Sequence, residues 1–185
     1  DAQTEKLHIA AANWAKQQSQ VKENAIFVQG SSFGGHAATR TFLQSDELDL
    51  AGVISVCGLV KSAFLAPPDV YAELPNYVTD GVKSRFKLPT GGGFESLSDS
   101  LRPLAKATAQ LMDGRKRDTP LLIISTNQDP VVPLDDIDDL QAHASNATRI
   151  ILDEEGHCPQ SEVEDILIAS WIVDQLPRKH DEDSD

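Results

Sequence analysis

The chain has 185 residues, with 16 Lys plus Arg against 29 Asp plus Glu for a formal net charge of −13, and 40% apolar and 5% aromatic content. The acid excess argues against a nucleic-acid partner, because backbone affinity comes from basic side chains that neutralise phosphates, and no basic stripe exists. No apolar run approaches the ~18 residues needed to span a bilayer, so no membrane-embedded role is expected.

Residues 1–24 are predicted helical, with Leu7, Ala10, Ala11 and Trp14 at i, i+3, i+4, i+7 and Asn24 closing the segment. Ala25-Ile26-Phe27-Val28-Gln29 is a short apolar run ending at Gly30, the pattern of a strand buried on both faces. A helix is expected over 33–43 and a second strand over Val53–Cys57. Residues 61–118 then insert roughly sixty residues where a simple crossover needs about a dozen. This stretch is expected to be a helical cap: Pro67-Pro68 opens it, Pro75 interrupts it, and Thr90-Gly91-Gly92-Gly93 is its most flexible point. Tyr71, Tyr77, Phe86 and Phe94 are candidates to line a pocket under the cap or to form the cap's own core. Arg115-Lys116-Arg117, between Asp113 and Asp118, is expected to be a solvated turn.

Leu121–Ser125 is the third strand, and 135–144 is a helix with Ile137 and Leu140 facing inward. Asp135, Asp136, Asp138 and Asp139 could suggest a metal cluster, but a helix spreads them around its axis, and the first pair suits its positive end. Arg149–Leu152 is the fourth strand. The last helix covers 162–176, with Val163, Ile166, Leu167, Ser170, Ile172 and Val173 largely on one side and Pro177 ending it. The acidic tail Asp181–Asp185 is expected to be disordered. Alternating uniformly apolar strands and helices indicate an α/β class, a parallel sheet covered by helices on both faces. The chain divides into 1–60, 61–118, 119–177 and 178–185. Cys57 and Cys158 fit no metal-ligand spacing, so no metal is expected; both are taken as free thiols, which leans toward a cytoplasmic location without excluding secretion. The sequon Asn146-Ala147-Thr148 matters only for a secreted chain.

Gly30-Ser31-Ser32-Phe33-Gly34-Gly35 directly follows the first strand and opens a helix, which satisfies both the Gly-x-Ser-x-Gly spacing and its strand–turn–helix context. A serine hydroxyl is a weak nucleophile near neutral pH, so it needs a sharp turn to project it and a base to take its proton. Glycines at 30 and 34 flank Ser32 at two residues on either side, whereas Ser31 has no such pair; Ser32 is therefore the nucleophile candidate. The third strand runs into Gln128-Asp129-Pro130, and the fourth into Gly156-His157-Cys158, placing Asp129 and His157 at the carboxyl rim where parallel α/β folds keep their sites. His157 is the expected general base and Asp129 the residue that holds its tautomer. His36, one turn inside the following helix, is assigned to packing or substrate contact. His8, His143 and His180 are assigned to the surface. Cys158 is disfavoured as nucleophile, since no elbow presents it.

These motifs resemble the α/β-hydrolase superfamily from its nucleophile strand to its C-terminal helix. Gly30–His36, Pro68-Asp69-Val70-Tyr71, Gln128-Asp129-Pro130-Val131 and Gly156-His157-Cys158 are similar to the branch that holds the fermentation–respiration switch (FrsA-like) esterases, the dihydroxypseudooxynicotine hydrolases and the fungal polyketide-shortening hydrolases. The resemblance implies a serine hydrolase of carboxylic esters, or of activated ketones and polyketides, that works through an acyl-enzyme and needs no cofactor. A non-catalytic hydrolase-fold binding protein and an acyltransferase with the same triad are the alternatives.

The departure from that pattern lies at the beginning. Only 31 residues precede Ser32, so the family's first strands have no place in this chain. The Phe33 N–H can serve as one oxyanion donor, but the second comes from a loop that is absent, and losing one such donor costs roughly 2.7–4 kcal/mol. The first strand would also become an exposed apolar edge. The expected partners are therefore a small ester or ketone substrate, an N-terminal half of the same fold on another or uncovered chain, and possibly a second copy. The start at Asp1 rather than Met points the same way.

Overall fold

The computed structural model describes residues 4–72, 74–89, 92–159 and 161–176. Thr90-Gly91, Pro177, His180 and the acidic tail lie outside the described residues. In chain order the elements are α1 (Lys6–Lys16), β1 (Phe27–Ser31), α2 (Phe33–Phe42), β2 (Gly52–Val56), α3 (Pro68–Ala72), α4 (Asn76–Arg85) and α5 (Phe94–Leu111). They continue with β3 (Leu121–Gln128), α6 (Leu134–Ala142), β4 (Ala147–Glu155) and α7 (Val163–Gln175). The four strands form one parallel sheet in the order β1-β2-β3-β4.

The two central strands carry the core. On β2 and β3 successive side chains point to opposite faces. Val53, Leu121 and Ile123 join Phe42 of α2 with Ile137 and Leu140 of α6 on one side, while Ile54, Val56, Leu122 and Ile124 meet Ile168 and Trp171 of α7 on the other. Both faces need apolar residues, which is why residues 53–56 and 121–124 are apolar throughout except at Ser55, whose buried hydroxyl bonds to Thr39 and to the Gly35 carbonyl. Each fully buried Leu or Ile here stabilises the fold by about 1.5–3 kcal/mol. β1 differs from the expectation: Val28 is buried, but Gln29 and Ser31 are exposed, because in the described sheet β1 is an edge strand.

α1 turns the side opposite to the one its apolar stripe predicts, and α7 is rotated part of the way. Leu7, Ala10, Ala11 and Trp14 of α1 all face outward, with Leu7 72% and Trp14 63% exposed. The inward face is Glu5, His8, Ile9 and Ala12. A buried ion pair sets this orientation: Arg40 of α2 donates to Glu5 through Nε at 2.7 Å and Nη2 at 3.2 Å, and Gln44 Nε2 adds a bond of 3.0 Å. Burial pushes the Glu5 carboxyl up, but the bonds from Arg40 and Gln44 outweigh it and hold its pKa below the usual value. In α7 the residues that meet the sheet are Ile168 and Trp171, with Leu167 and Ile172 beside them, while Val163, Ile166 and Val173 are exposed. Trp171 fixes that rotation. Its ring meets Phe27 edge-on at 6.0 Å and its Nε1 donates to Thr148 Oγ1 at 3.1 Å.

Arg117, expected in a solvated turn, and Asp136 of α6 are both structural. Arg117 is 1% exposed and donates to the carbonyls of Leu43 and Arg115 and to Asp113, so this one member of the basic cluster is a buried anchor, while Arg115 and Lys116 are exposed as a solvated turn requires. Asp136 is buried and accepts from Lys61 N, Ser62 N and Ser62 Oγ, closing the 3-10 turn Ser62–Phe64 onto α6. The other three acids on α6 do spread, Asp138 pairing with Arg149 and Asp139 with Lys61. The 61–118 stretch folds as α3, α4 and α5. Pro75 caps α4 with an extended backbone, which separates it from α3. Leu97, Leu101, Leu104, Ala105 and Thr108 make a helical stripe that seats α5 on the α2 side of the sheet.

Candidate active site

β1 delivers Ser32 at a reversal of the chain. Ser32 has φ 54° and ψ −116°, a conformation costly for an L-residue, and it stands where α2 begins. Its N–H donates to Val56 O of β2 at 2.9 Å, which fixes the turn against the neighbouring strand end. A Cβ on Gly30 would collide with the Gly34 carbonyl, so Gly30 permits the strand to pass this close to α2. The second constraint falls on Gly35, where a Cβ would sit 2.6 Å from Gly58 Cα. Gly34 has open space around it, contrary to the role the motif spacing gives it.

The structure brings Ser32, Asp129 and His157 together. Ser32 Oγ lies 2.8 Å from His157 Nε2, and His157 Nδ1 lies 2.9 Å from Asp129 Oδ2. Asp129 follows β3, and its side chain is completely buried, with Oδ1 accepting from Val131 N at 2.8 Å and Val132 N at 2.9 Å. This turn leaves Oδ2 aimed at the imidazole. An Nδ1–H directed to Asp129 leaves the Nε2 lone pair facing the Ser32 hydroxyl, which then donates to it. Phe33 is the first residue of α2, so its N–H has no intrahelical acceptor and lies next to the hydroxyl-bearing residue.

His157 has to reach Ser32 from β4, across the ends of β3 and β2, and residues the sequence did not suggest make that crossing. Thr126 Oγ1 of β3 donates to Gly156 O at 2.8 Å, and Gly156 takes φ 100°. Cys158 is joined to Cys57, directly after β2, by a disulfide with a Cα–Cα distance of 5.0 Å. The reading of both cysteines as free thiols is therefore corrected, and the argument for a cytoplasmic location that rested on it falls. No helix among the described residues is long and apolar enough to cross a membrane. Cys57 directly follows the end of β2, and Cys158 lies three residues past the end of β4. Cys57, His157 and Cys158 are also the one group among the described residues whose side chains come close enough to hold a metal ion.

His36 lies fully buried beneath the elbow. Its Nδ1–H donates to Leu59 O at 2.8 Å, and its ring meets Phe64 edge-on at 4.5 Å. Burial lowers its pKa to about 4, so it is neutral and serves packing. Above Ser32 a cavity of about 210 Å³ opens, lined by Phe64, Tyr71, Tyr77, Val78, Leu97 and Val131 among others. Tyr71 and Tyr77 are thus in the pocket wall, with the Tyr71 hydroxyl donating to Ala63 O at 2.6 Å. Phe86 and Phe94 pack against the core instead. His8 is half-buried beside Thr41, and burial lowers its pKa.

A model of the family described as Esterase FrsA-like matches residues 2–175. The chain belongs to this family. No match is found among curated proteins. Among solved structures, AbyA5 matches 95% of this FrsA-like chain at 20% identity with a TM-score of 0.68, the chain covering 48% of AbyA5. The 2,6-dihydroxy-pseudo-oxynicotine hydrolase matches 95% at 19% identity and a TM-score of 0.72, with 47% of its own length covered. Acetyl xylan esterase 1 from a Thermoanaerobacterium species matches 94% at 15% identity and a TM-score of 0.59, with 51% covered. At these identities the likeness establishes the α/β-hydrolase fold. The FrsA-like chain spans about half the length of these structures, which agrees with its being the C-terminal part of that fold.

Proposed function

We propose that the full protein is a serine hydrolase of carboxylic esters or activated ketones, with Ser32 as nucleophile, His157 as general base and Asp129 as the residue that orients it. The observation that carries this is the continuous hydrogen-bond chain from Ser32 Oγ through the imidazole to a buried carboxylate. His157 Nε2 takes the Ser32 proton as Oγ attacks the carbonyl carbon, and the same proton passes to the leaving group. Water, activated by the neutral imidazole, then releases the acyl group. The Phe33 N–H stabilises the oxyanion. Among the described residues no Asp, Glu, Lys or Arg lines the cavity above Ser32, which favours an apolar acyl or alkyl group, since a charged one would lose its hydration without gaining a partner. The helices α3, α4 and α5 serve as the cap that covers it.

The remaining part of the site is proposed to come from an N-terminal half of the fold that pairs along β1 and supplies the second oxyanion donor. The outward apolar stripe on α1 and the chain's coverage of about half of its structural neighbours support this partner. Treatment of the full protein with a fluorophosphonate probe tests the reading: Ser32 is labelled, Ser32→Ala abolishes labelling, and Asp129→Asn lowers kcat about 10⁴-fold. A full protein that takes up no probe would instead be a binding module on a hydrolase fold.

A further inference from the structure

The disulfide touches the site without taking part in the chemistry proposed for it. It joins Cys57, which ends β2, to Cys158, the neighbour of His157, and Ser31 Oγ lies 3.6 Å from the Cys57 sulfur and 3.9 Å from that of Cys158. One ligand atom from each of Cys57, Cys158 and His157 falls within 4.8 Å of the others. In a tetrahedral zinc site, bond lengths of 2.3 Å to sulfur and about 2.0 Å to nitrogen put neighbouring ligand atoms about 3.5–3.8 Å apart. Once the sulfur–sulfur bond opens, small side-chain rotations meet that spacing.

We propose that Cys57, Cys158 and His157 form a redox-gated site for a soft divalent metal ion, open only in the dithiol state. The oxidised pair offers no thiolate and holds the His157 loop against β2. Cys57 is fully buried whereas Cys158 is partly accessible, so a dithiol reductant attacks at the Cys158 sulfur. That attack forms a mixed disulfide and expels the Cys57 thiolate, which takes up a proton. The reductant's second thiol then displaces Cys158 and leaves as a cyclic disulfide, having supplied two electrons and two protons. Binding of Zn²⁺ releases both protons and gives an ion held by two thiolates and an imidazole, a set with no net charge from its first three ligands and therefore tolerable in a half-buried pocket. Ser31 Oγ or a water fills the fourth position. The consequence for activity rests on the reading of His157 as the base: whichever ring nitrogen takes the ion, either the lone pair facing Ser32 or the N–H facing Asp129 is lost.

Co²⁺ tests the site directly in the full chain, because a thiolate–Co²⁺ bond gives a near-ultraviolet charge-transfer band and a tetrahedral site gives visible bands. After reduction and removal of the reductant, Co²⁺ produces these bands at one ion per chain and Zn²⁺ erases them. The oxidised protein and Cys57→Ser produce none, and His157→Gln changes the visible bands. Alkylation and mass measurement before and after reduction count the thiols. In the reduced protein Zn²⁺ slows fluorophosphonate labelling of Ser32 by about 10²-fold or more, and a chelator restores it. Thiols already free before reduction, no bands in the reduced protein, or bands unchanged in His157→Gln would each overturn the site. Labelling unchanged by bound Zn²⁺ would overturn the gating. An oxidised protein that takes no label refutes the hydrolase reading alone, while the Co²⁺ bands still decide the metal site. The oxidised wild type is its own control, so the result does not depend on how Cys57→Ser folds.

Discussion

Removing the titration of His36 should flatten one part of the stability profile. Burial holds its pKa at about 4, with the Arg40 charge adding to the effect and the Leu59 carbonyl and Glu5 opposing it. In the unfolded chain the ring titrates near 6.5. Between those values the unfolded state binds a proton that the folded state refuses, so stability is complete above about pH 6.5, falls as the pH drops, and levels off below about 4. The difference is worth about 3 kcal/mol at 1.36 kcal/mol per pH unit. His36→Asn supplies an amide N–H to the Leu59 carbonyl and cannot titrate. It loses ring packing on Phe64, but that offset does not vary with pH. Guanidinium unfolding from pH 7.5 to 3.5 should show wild type losing about 3 kcal/mol relative to the variant between pH 6.5 and 4. The contributions of Glu5 and the surface carboxylates, common to both proteins, cancel. A difference that stays constant across the range would refute the burial argument.

The glycines beside the elbow make a paired test: Gly35→Ala must displace the Gly58 backbone and should destabilise by about 2 kcal/mol or more, whereas Gly34→Ala meets nothing and should be neutral or gain up to about 1 kcal/mol in helix propensity. Arg117→Ala should cost about 1–3 kcal/mol in denaturant unfolding because it leaves the carbonyls of Leu43, Arg115 and Leu111 without their donor. Lys116→Ala, on the exposed side of the same run, should change stability by about 0.5 kcal/mol or less. Reduction of the disulfide, which closes a sequence separation of 101 residues, should lower stability by about 2–4 kcal/mol, measured as the shift in unfolding midpoint with and without reductant.

The sequence was most legible where one residue type answers one local demand. The buried strands Val53–Val56, apolar apart from the hydrogen-bonded Ser55, and Leu121–Ile124 serve a sheet packed on both faces, and they sit in the centre of the sheet. Gly30 and Ser32 could be read from the strand-to-helix turn alone, and Asp129 and His157 from their position just past strand ends. The rest was hidden because its partners are far apart in sequence. Arg117 finds Leu43, Asp136 finds Ser62, and Glu5 finds Arg40 only after the helices have docked.

The stripes on α1 and α7 show the limit most clearly. Periodicity says which side of a helix is apolar, but which side meets the sheet depends on specific anchors: the Glu5–Arg40 pair for α1 and the Trp171 ring for α7. By itself, then, the sequence determined the α/β class, the elbow and the three residues brought into hydrogen-bond contact, since these follow from local pattern and chain order. Only the tertiary structure decided that Cys57 and Cys158 meet, that His157 is carried across two strand ends to Ser32, and that Arg117 is a buried anchor. Those outcomes depend on distances between segments separated by tens of residues, which no local pattern encodes.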